Sequence, residues 1–274
     1  MKNYYGLVAS MPDVSPDDAK LNFTVADFKE DYWPQLSETD KKLVALFFLR
    51  YDHRNLLAWL AEGDGAAFDE RAMFPREAWP EAMEKVKTGD EQGRVLPAYF
   101  YEFMAEYATL KEVQERLPED VLLAAYYRYA GTFKNRFTAD WSAFNRNVNN
   151  ILITLTARKY GFNPAFYLVG DDVVTKALAV SGARDFGLGT ELDYMDDVSD
   201  PVEKERKLDL LKWEWLEDRT FFCYFSVERL FAFLIKLDII ERWTHIDKER
   251  GGKVFRSLVE QLKNEVEIPQ EFKK

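Results

Sequence analysis

The sequence predicts an all-α protein, and three observations carry that prediction. Apolar residues recur three and four apart through most of the chain. The alternation a half-buried strand needs is scarce. Proline, glycine and small polar residues stand where helices would begin and end.

Residues 1–36 are punctuated by Pro12, Pro16 and Pro34 and read as an irregular segment over the body, with one short extended piece. The first helix follows Ser37-Glu38-Thr39-Asp40. Leu43, Leu46, Phe47, Arg50, Asn55, Leu57 and Leu60 keep approximate helical spacing, and Gly63-Asp64-Gly65 stops the run. Short helices are expected among Pro75, Pro80, Gly89 and Gly93. Pro97 opens a helix to about residue 116, which Leu117-Pro118 breaks. Pro118 suits the first turn of the next helix, where Glu119 and Asp120 favour the positive end of the macrodipole, and Gly131 ends it. Thr138-Ala139-Asp140 is expected to cap a long helix through Tyr160, which Gly161 stops. Asn163-Pro164 starts a short helix and Gly170-Asp171-Asp172 caps another. Residues 181–201 read as a loop or hinge. Helices are then expected over about 201–217, 220–243 and 252–266.

The chain has 274 residues, which suits one or two domains and can bury a substantial core. With 21 Phe, 14 Tyr and 7 Trp, that core rests on large flat side chains. A formal net charge of −11 argues against nucleic acid as a partner and disfavours an anionic membrane surface. The one cysteine, Cys223, stands within Thr220-Phe221-Phe222-Cys223-Tyr224-Phe225; it cannot form an internal disulfide and is expected to be a small buried hydrophobe in a reducing compartment. The opening residues hold too short an apolar run for a signal peptide, and no window reaches the roughly 18 apolar residues of a membrane span. The most apolar stretch, 220–240, carries Glu228, Arg229, Lys236 and Asp238 and reads as an amphipathic core helix. A cytoplasmic protein is expected.

Catalytic and metal patterns are weak. His53 and His245 are far apart and no further ligands stand at zinc spacing. Asp185-Phe186-Gly187 has the letters of a kinase magnesium triplet without a Gly-rich or catalytic loop. Gly251-Gly252-Lys253 lacks the spacing of a P-loop. Glu191, Asp193, Asp196, Asp197 and Asp200 lack the glycine and terminal glutamate of a calcium loop. No cofactor, metal or catalytic residue is assigned.

One short pattern recurs. Asp52-His53-Arg54-Asn55-Leu56-Leu57 and Asn147-Val148-Asn149-Asn150-Ile151-Leu152 each read as a polar residue, two positions, an Asn and two aliphatics, with the Asn positions about 95 residues apart. Ser226-Val227-Glu228-Arg229-Leu230-Phe231 is a fainter third copy. Asp52 and Asn55, like Asn147 and Asn150, are three apart and share a helix face. Asp and Asn are poor interior helix residues, so their use at matching places suggests that each pair binds something fixed, such as the end of a neighbouring helix.

These helices resemble those of the C subunit of A/V-type rotary ATPases, called d in the eukaryotic vacuolar pump. That family has an Asp-x-x-Asn-Leu helix with a basic residue about two turns later, recurring in three helical subdomains around a funnel. Arg158-Lys159 supply the basic element in the second copy and Lys236 in the third; the first copy has none near Gly63. The opening Asn3-Tyr4-Tyr5-Gly6-Leu7-Val8-Ala9-Ser10-Met11-Pro12-Asp13 and the closing Leu237-Asp238-Ile239-Ile240-Glu241-Arg242-Trp243 are similar to a divergent bacterial branch associated with V-type ATP synthase genes. The resemblance implies one helical domain with subdomains near 1–95, 96–185 and 186–274 about a pseudo-threefold. It also implies a non-catalytic rotor part on the cytoplasmic face of the membrane, between the central stalk and the proteolipid ring. Arg128, Lys134, Arg136 and Arg146 form the densest basic region and are the candidate interface patch. Two other readings stand beside it: a free-standing helical scaffold or regulatory module, and an enzyme in which Asp52, Asn55, Asn147, Asn150 and Arg158 converge on one acidic cavity.

Overall fold

A computed structural model describes residues 3–18, 20–113, 116–180, 198 and 200–265, with 113 and 247–265 as backbone only. Ten α-helices carry the chain and no strand occurs among the described residues, so the fold is all-α. They are α1 (Tyr5–Ser10), α2 (Val25–Asp27), α3 (Glu38–Glu62), α4 (Ala78–Thr88), α5 (Ala98–Val113), α6 (Pro118–Ala130), α7 (Arg136–Lys159), α8 (Val173–Val180), α9 (Pro201–Thr220) and α10 (Val227–Glu265).

Two helices form the centre. In α3, Leu43, Val44, Leu46, Phe47, Phe48, Leu49 and Tyr51 are all buried; in α10, every residue from Leu230 to Leu237 is. Burial on all sides is the mark of a helix that neighbours surround rather than flank. Asp238 of α10 ties the two together, accepting from Arg50 at 2.6 Å and from the Tyr51 hydroxyl at 2.7 Å. The remaining helices stack outward along the chain: α4 packs on α5, α5 on α6, α6 on α7 and on α3, α7 on α8, and α9 on α10.

The starts of the helices follow from local chemistry. Ser37 caps α3 by accepting from the Asp40 amide, and Pro118 stands in the first turn of α6. The cap of α7 differs from expectation: Asn135 accepts from the Thr138 amide, one turn before Thr138-Ala139-Asp140. Asp172 caps α8, accepting from the Val174 amide at 2.9 Å.

Three expectations are corrected. About half of the segment 1–36 is helical: besides α1, Thr24 and Asp27 form a capping box that starts α2, which runs on through a π turn (Phe28–Tyr32) and a 3-10 turn (Trp33–Gln35). Burial of Tyr4, Leu7, Val25, Phe28, Tyr32 and Leu36 holds it on the core. The apolar stretch 220–243 is not one helix, because α9 ends at Thr220 and α10 starts at Val227. Beyond it, α10 continues through Gly251-Gly252 without a separate helix over 252–266. Asp185-Phe186-Gly187 and the acidic Glu191, Asp193, Asp196 and Asp197 lie outside the described residues; Asp200 caps α9.

Candidate functional site

The two Asn positions do the same thing. On α3, the Asn55 amide donates to the Asp69 carbonyl at 3.0 Å while its oxygen accepts from the Asp69 N–H at 2.8 Å. On α7, Asn150 donates to the Val169 carbonyl at 2.8 Å and accepts from the Val169 N–H at 2.9 Å. Each side chain thus reads both polar groups of one residue in the segment that returns after the helix. A primary amide suits this task, since it offers one donor and one acceptor side by side. Both are buried, where the backbone groups they satisfy have no water to replace them.

The partners beside the two Asn residues differ. Asp52 accepts from the Met73 and Phe74 amides at 3.0 and 3.1 Å, and Lys29 donates to the Glu70, Arg71 and Ala72 carbonyls, so residues 69–74 are held along their length. Burial pushes the Asp52 carboxyl up to about 7, against the two amides and Lys29, which draw it down. In the second copy, Asp172 of the returning segment caps α8 itself and is tethered by Arg146 of α7 at 3.1 Å. Asn147 has no such task, and its buried Oδ1 has no hydrogen-bond partner. Gly170, at φ 100°, turns the chain there; a Cβ would lie 3.1 Å from the Arg146 Cδ.

Among the described residues, the third copy does not close on a later segment. Ser226 precedes α10 with its Oγ buried and unpartnered, and Arg229 reaches back to the Thr220 hydroxyl at 3.2 Å. Lys236 is buried against the Trp213 ring at 4.9 Å and pairs with Glu217. Asp238 and Glu241 of α10, also three apart, bind the first part of the chain, and the pattern missed them. Glu241 accepts from the Val25 amide at the start of α2 at 2.5 Å and from Arg71 at 3.1 Å. An acidic pair three apart inside a strongly apolar helix is the signal that could have found them.

Asp52 and Asn55 are spent on residues 69–74, and Asn150 on Val169 and Thr175, so these side chains serve backbone and not one shared cavity. Arg158 is exposed in the last turn of α7. The basic patch divides. Arg128, Lys134 and Arg136 are exposed, whereas Arg146, some 15 Å further along α7 than Arg136, is mostly covered and engaged with Asp172.

Lys134 and Arg136 border a groove whose other wall is the turn between α9 and α10. This turn holds Phe221, Phe222, Tyr224 and Phe225, exposed by 63%, 82%, 60% and 39%. Tyr5, itself exposed, packs on Phe225 with ring centroids 4.3 Å apart. Cys223, expected in the core, is half-buried in the same turn. Five aromatic side chains so placed leave on the order of 600 Å² of mostly apolar surface, taking about 200 Å² for each ring. That is the upper end of what a monomer normally leaves in water.

No curated protein and no solved structure matches the chain. A family model described as "Protein of unknown function (DUF2764)" matches residues 1–266. With nearly the whole chain covered, the protein belongs to the DUF2764 family.

Proposed function

We propose that the protein is a non-catalytic adaptor of a V-type rotary ATPase or ATP synthase, joining the central stalk to the membrane proteolipid ring. The observation that carries this reading is the duplicated clasp. Asn55 and Asn150 hold returning segments by the same pair of hydrogen bonds, on helices whose pattern resembles the repeated helix of the rotary C subunit. A torque-bearing part needs segments that cannot slide along one another. A bidentate clasp fixes register as well as distance, and an aromatic core adds stiffness.

An adaptor also needs faces for its partners. The aromatic turn with Lys134 and Arg136 has the composition of a protein interface, where aromatic residues and arginine are enriched. Attachment there would place the protein peripherally at the membrane's cytoplasmic face; among the described residues no helix is long and apolar enough to cross it.

The test is affinity purification of the tagged full chain from cells that contain the ATPase. Mass spectrometry should recover stalk and proteolipid subunits in defined ratio. An intact ATPase prepared from the same cells without this chain would refute the proposal.

A further inference from the structure

Between α3, α6 and α7 lies a cleft of about 240 Å³ that the adaptor reading does not use. Arg50 and Arg54 of α3 form one wall, Tyr126 and Tyr127 of α6 the second, and Trp141 and Ser142 of α7 the third. We propose that it binds the phosphate group of a small solute.

The first argument is charge. No carboxylate lines the cleft, in a chain with 48 acidic against 37 basic residues. Other concave places are mixed: the groove beside the aromatic turn sets Asp140 and Glu228 against its cations, and the cleft at residues 20–26 sets Glu241 against Arg71. Arg50 and Arg54 are four apart, so their guanidinium groups leave α3 on one face, where like charges repel. Arg50 has Asp238 as counter-ion, outside the cleft. Arg54 has no ion pair or hydrogen bond among the described residues. His53, also in the wall, adds no charge: burial, helped by Arg50, lowers its pKa to about 3.

The second argument is unspent donors. The Arg54 guanidinium and the hydroxyls of Tyr127 and Ser142 make no hydrogen bond among the described residues. Arg50 uses Nη1 on Asp238 and Nε on the Phe47 carbonyl, which leaves Nη2. Guanidinium forks and hydroxyls together match an oxyanion with several acceptor oxygens. At about 30 Å³ per water, the space equals about eight waters, more than a bare phosphate needs. Trp141 and Tyr126 offer flat apolar walls to the remainder of a compact phosphorylated molecule.

Calorimetric titration of the full chain with inorganic phosphate, pyrophosphate and glycerol 3-phosphate, at fixed ionic strength, tests this. Saturable binding is expected, weakened about ten-fold or more in Arg54→Gln, partly restored in Arg54→Lys, and unchanged in Lys111→Gln at an exposed position of α5. Arg54 is exposed and unbonded, so its loss should not disturb the fold, and the melting temperature checks that. Three results would overturn the assignment: no saturable binding of any of the three solutes, equal binding by Arg54→Gln, or binding only to vesicles containing phosphatidic acid.

Discussion

Asn147 and Asn150 share a helix face, yet only one of them has work to do. Removing Asn150 as Asn150→Leu strands the N–H and the carbonyl of Val169 away from water, and the loss should be about 2–4 kcal/mol. Asn147→Leu removes a buried oxygen that already lacks a partner, and stability should hold or rise by up to about 1 kcal/mol. Urea denaturation of the two variants measures both, and equal losses would mean that the clasp has no special role. Asp52 makes a prediction about pH. Its native pKa of about 7 lies above its ordinary 3.8, so the native state holds an extra proton between those values, and acidification through that window stabilises the fold. His53 has the opposite sign: its native pKa of about 3 lies below its ordinary 6.5, so the unfolded state binds the extra proton and acidification through that range destabilises. The two windows overlap, and the native protein should show a flat melting temperature from about pH 4 to 6.5. Asp52→Asn removes the titration and keeps an acceptor for only one of the Met73 and Phe74 amides, so it lowers stability at every pH while changing the pH dependence. It should expose the His53 term, with the melting temperature falling by about 2–4 °C per pH unit on acidification below 6.5. A variant as flat as the native protein would refute the assignment.

At the scale of the element, the turn between α9 and α10 is where the proposed adaptor role can be tested apart from packing. Phe222 and Tyr224 are exposed, and the core holds without them, so Phe222→Ser and Tyr224→Ser should leave the melting temperature within about 1–2 °C of native while partner recovery in affinity purification falls several-fold. Loss of stability, or unaltered recovery, would remove the turn from the interface. The same turn shows what a sequence can and cannot reveal. Residues 221–225 form a continuous apolar run, which reads as a core helix because hydrophobicity alone carries no orientation; nothing local says that α9 stops at Thr220. The helices α3, α5, α6 and α7 were legible because their boundaries carry caps, prolines and glycines with a local mechanism. In the first 36 residues three prolines point to irregular chain, and the Thr24–Asp27 capping box goes unread, although Pro34 fits the 3-10 turn it occupies. The Asn positions of the clasps stood out as polar residues inside apolar helices. Their partners at Asp69 and Val169 did not, because a backbone N–H and carbonyl belong to every residue, and only the return path of the chain selects which pair is met.

For the whole molecule, the question raised by subdomains near 1–95, 96–185 and 186–274 is whether they can unfold separately. Their described parts share one core. A continuous set of buried apolar side chains runs from Tyr4 and Phe28, through Phe47, Phe100 and Ile151, to Leu216 and Trp243. Polar ties cross the same boundaries. Arg50 and Tyr51 meet Asp238, Val25 and Arg71 meet Glu241, and Asn135 meets Glu228 at 2.8 Å. Within the last part, Arg242 pairs with Glu205 and Asp209, and the Trp243 indole donates to Asp209 at 2.8 Å, so α9 and α10 are joined through a buried carboxylate that would be left uncompensated if either helix departed. Separating 1–95 from the remainder would expose α3 along the face that α10 covers, together with Glu241 and Asp238. The expected result is a single calorimetric transition whose measured enthalpy equals the van't Hoff value, about 190 kcal/mol near 60 °C from the usual per-residue figure. Two transitions that divide this enthalpy would show subdomains held together by their contacts but stable on their own. A single one would mean that the three parts unfold together, which is what the proposed rigid coupling element requires.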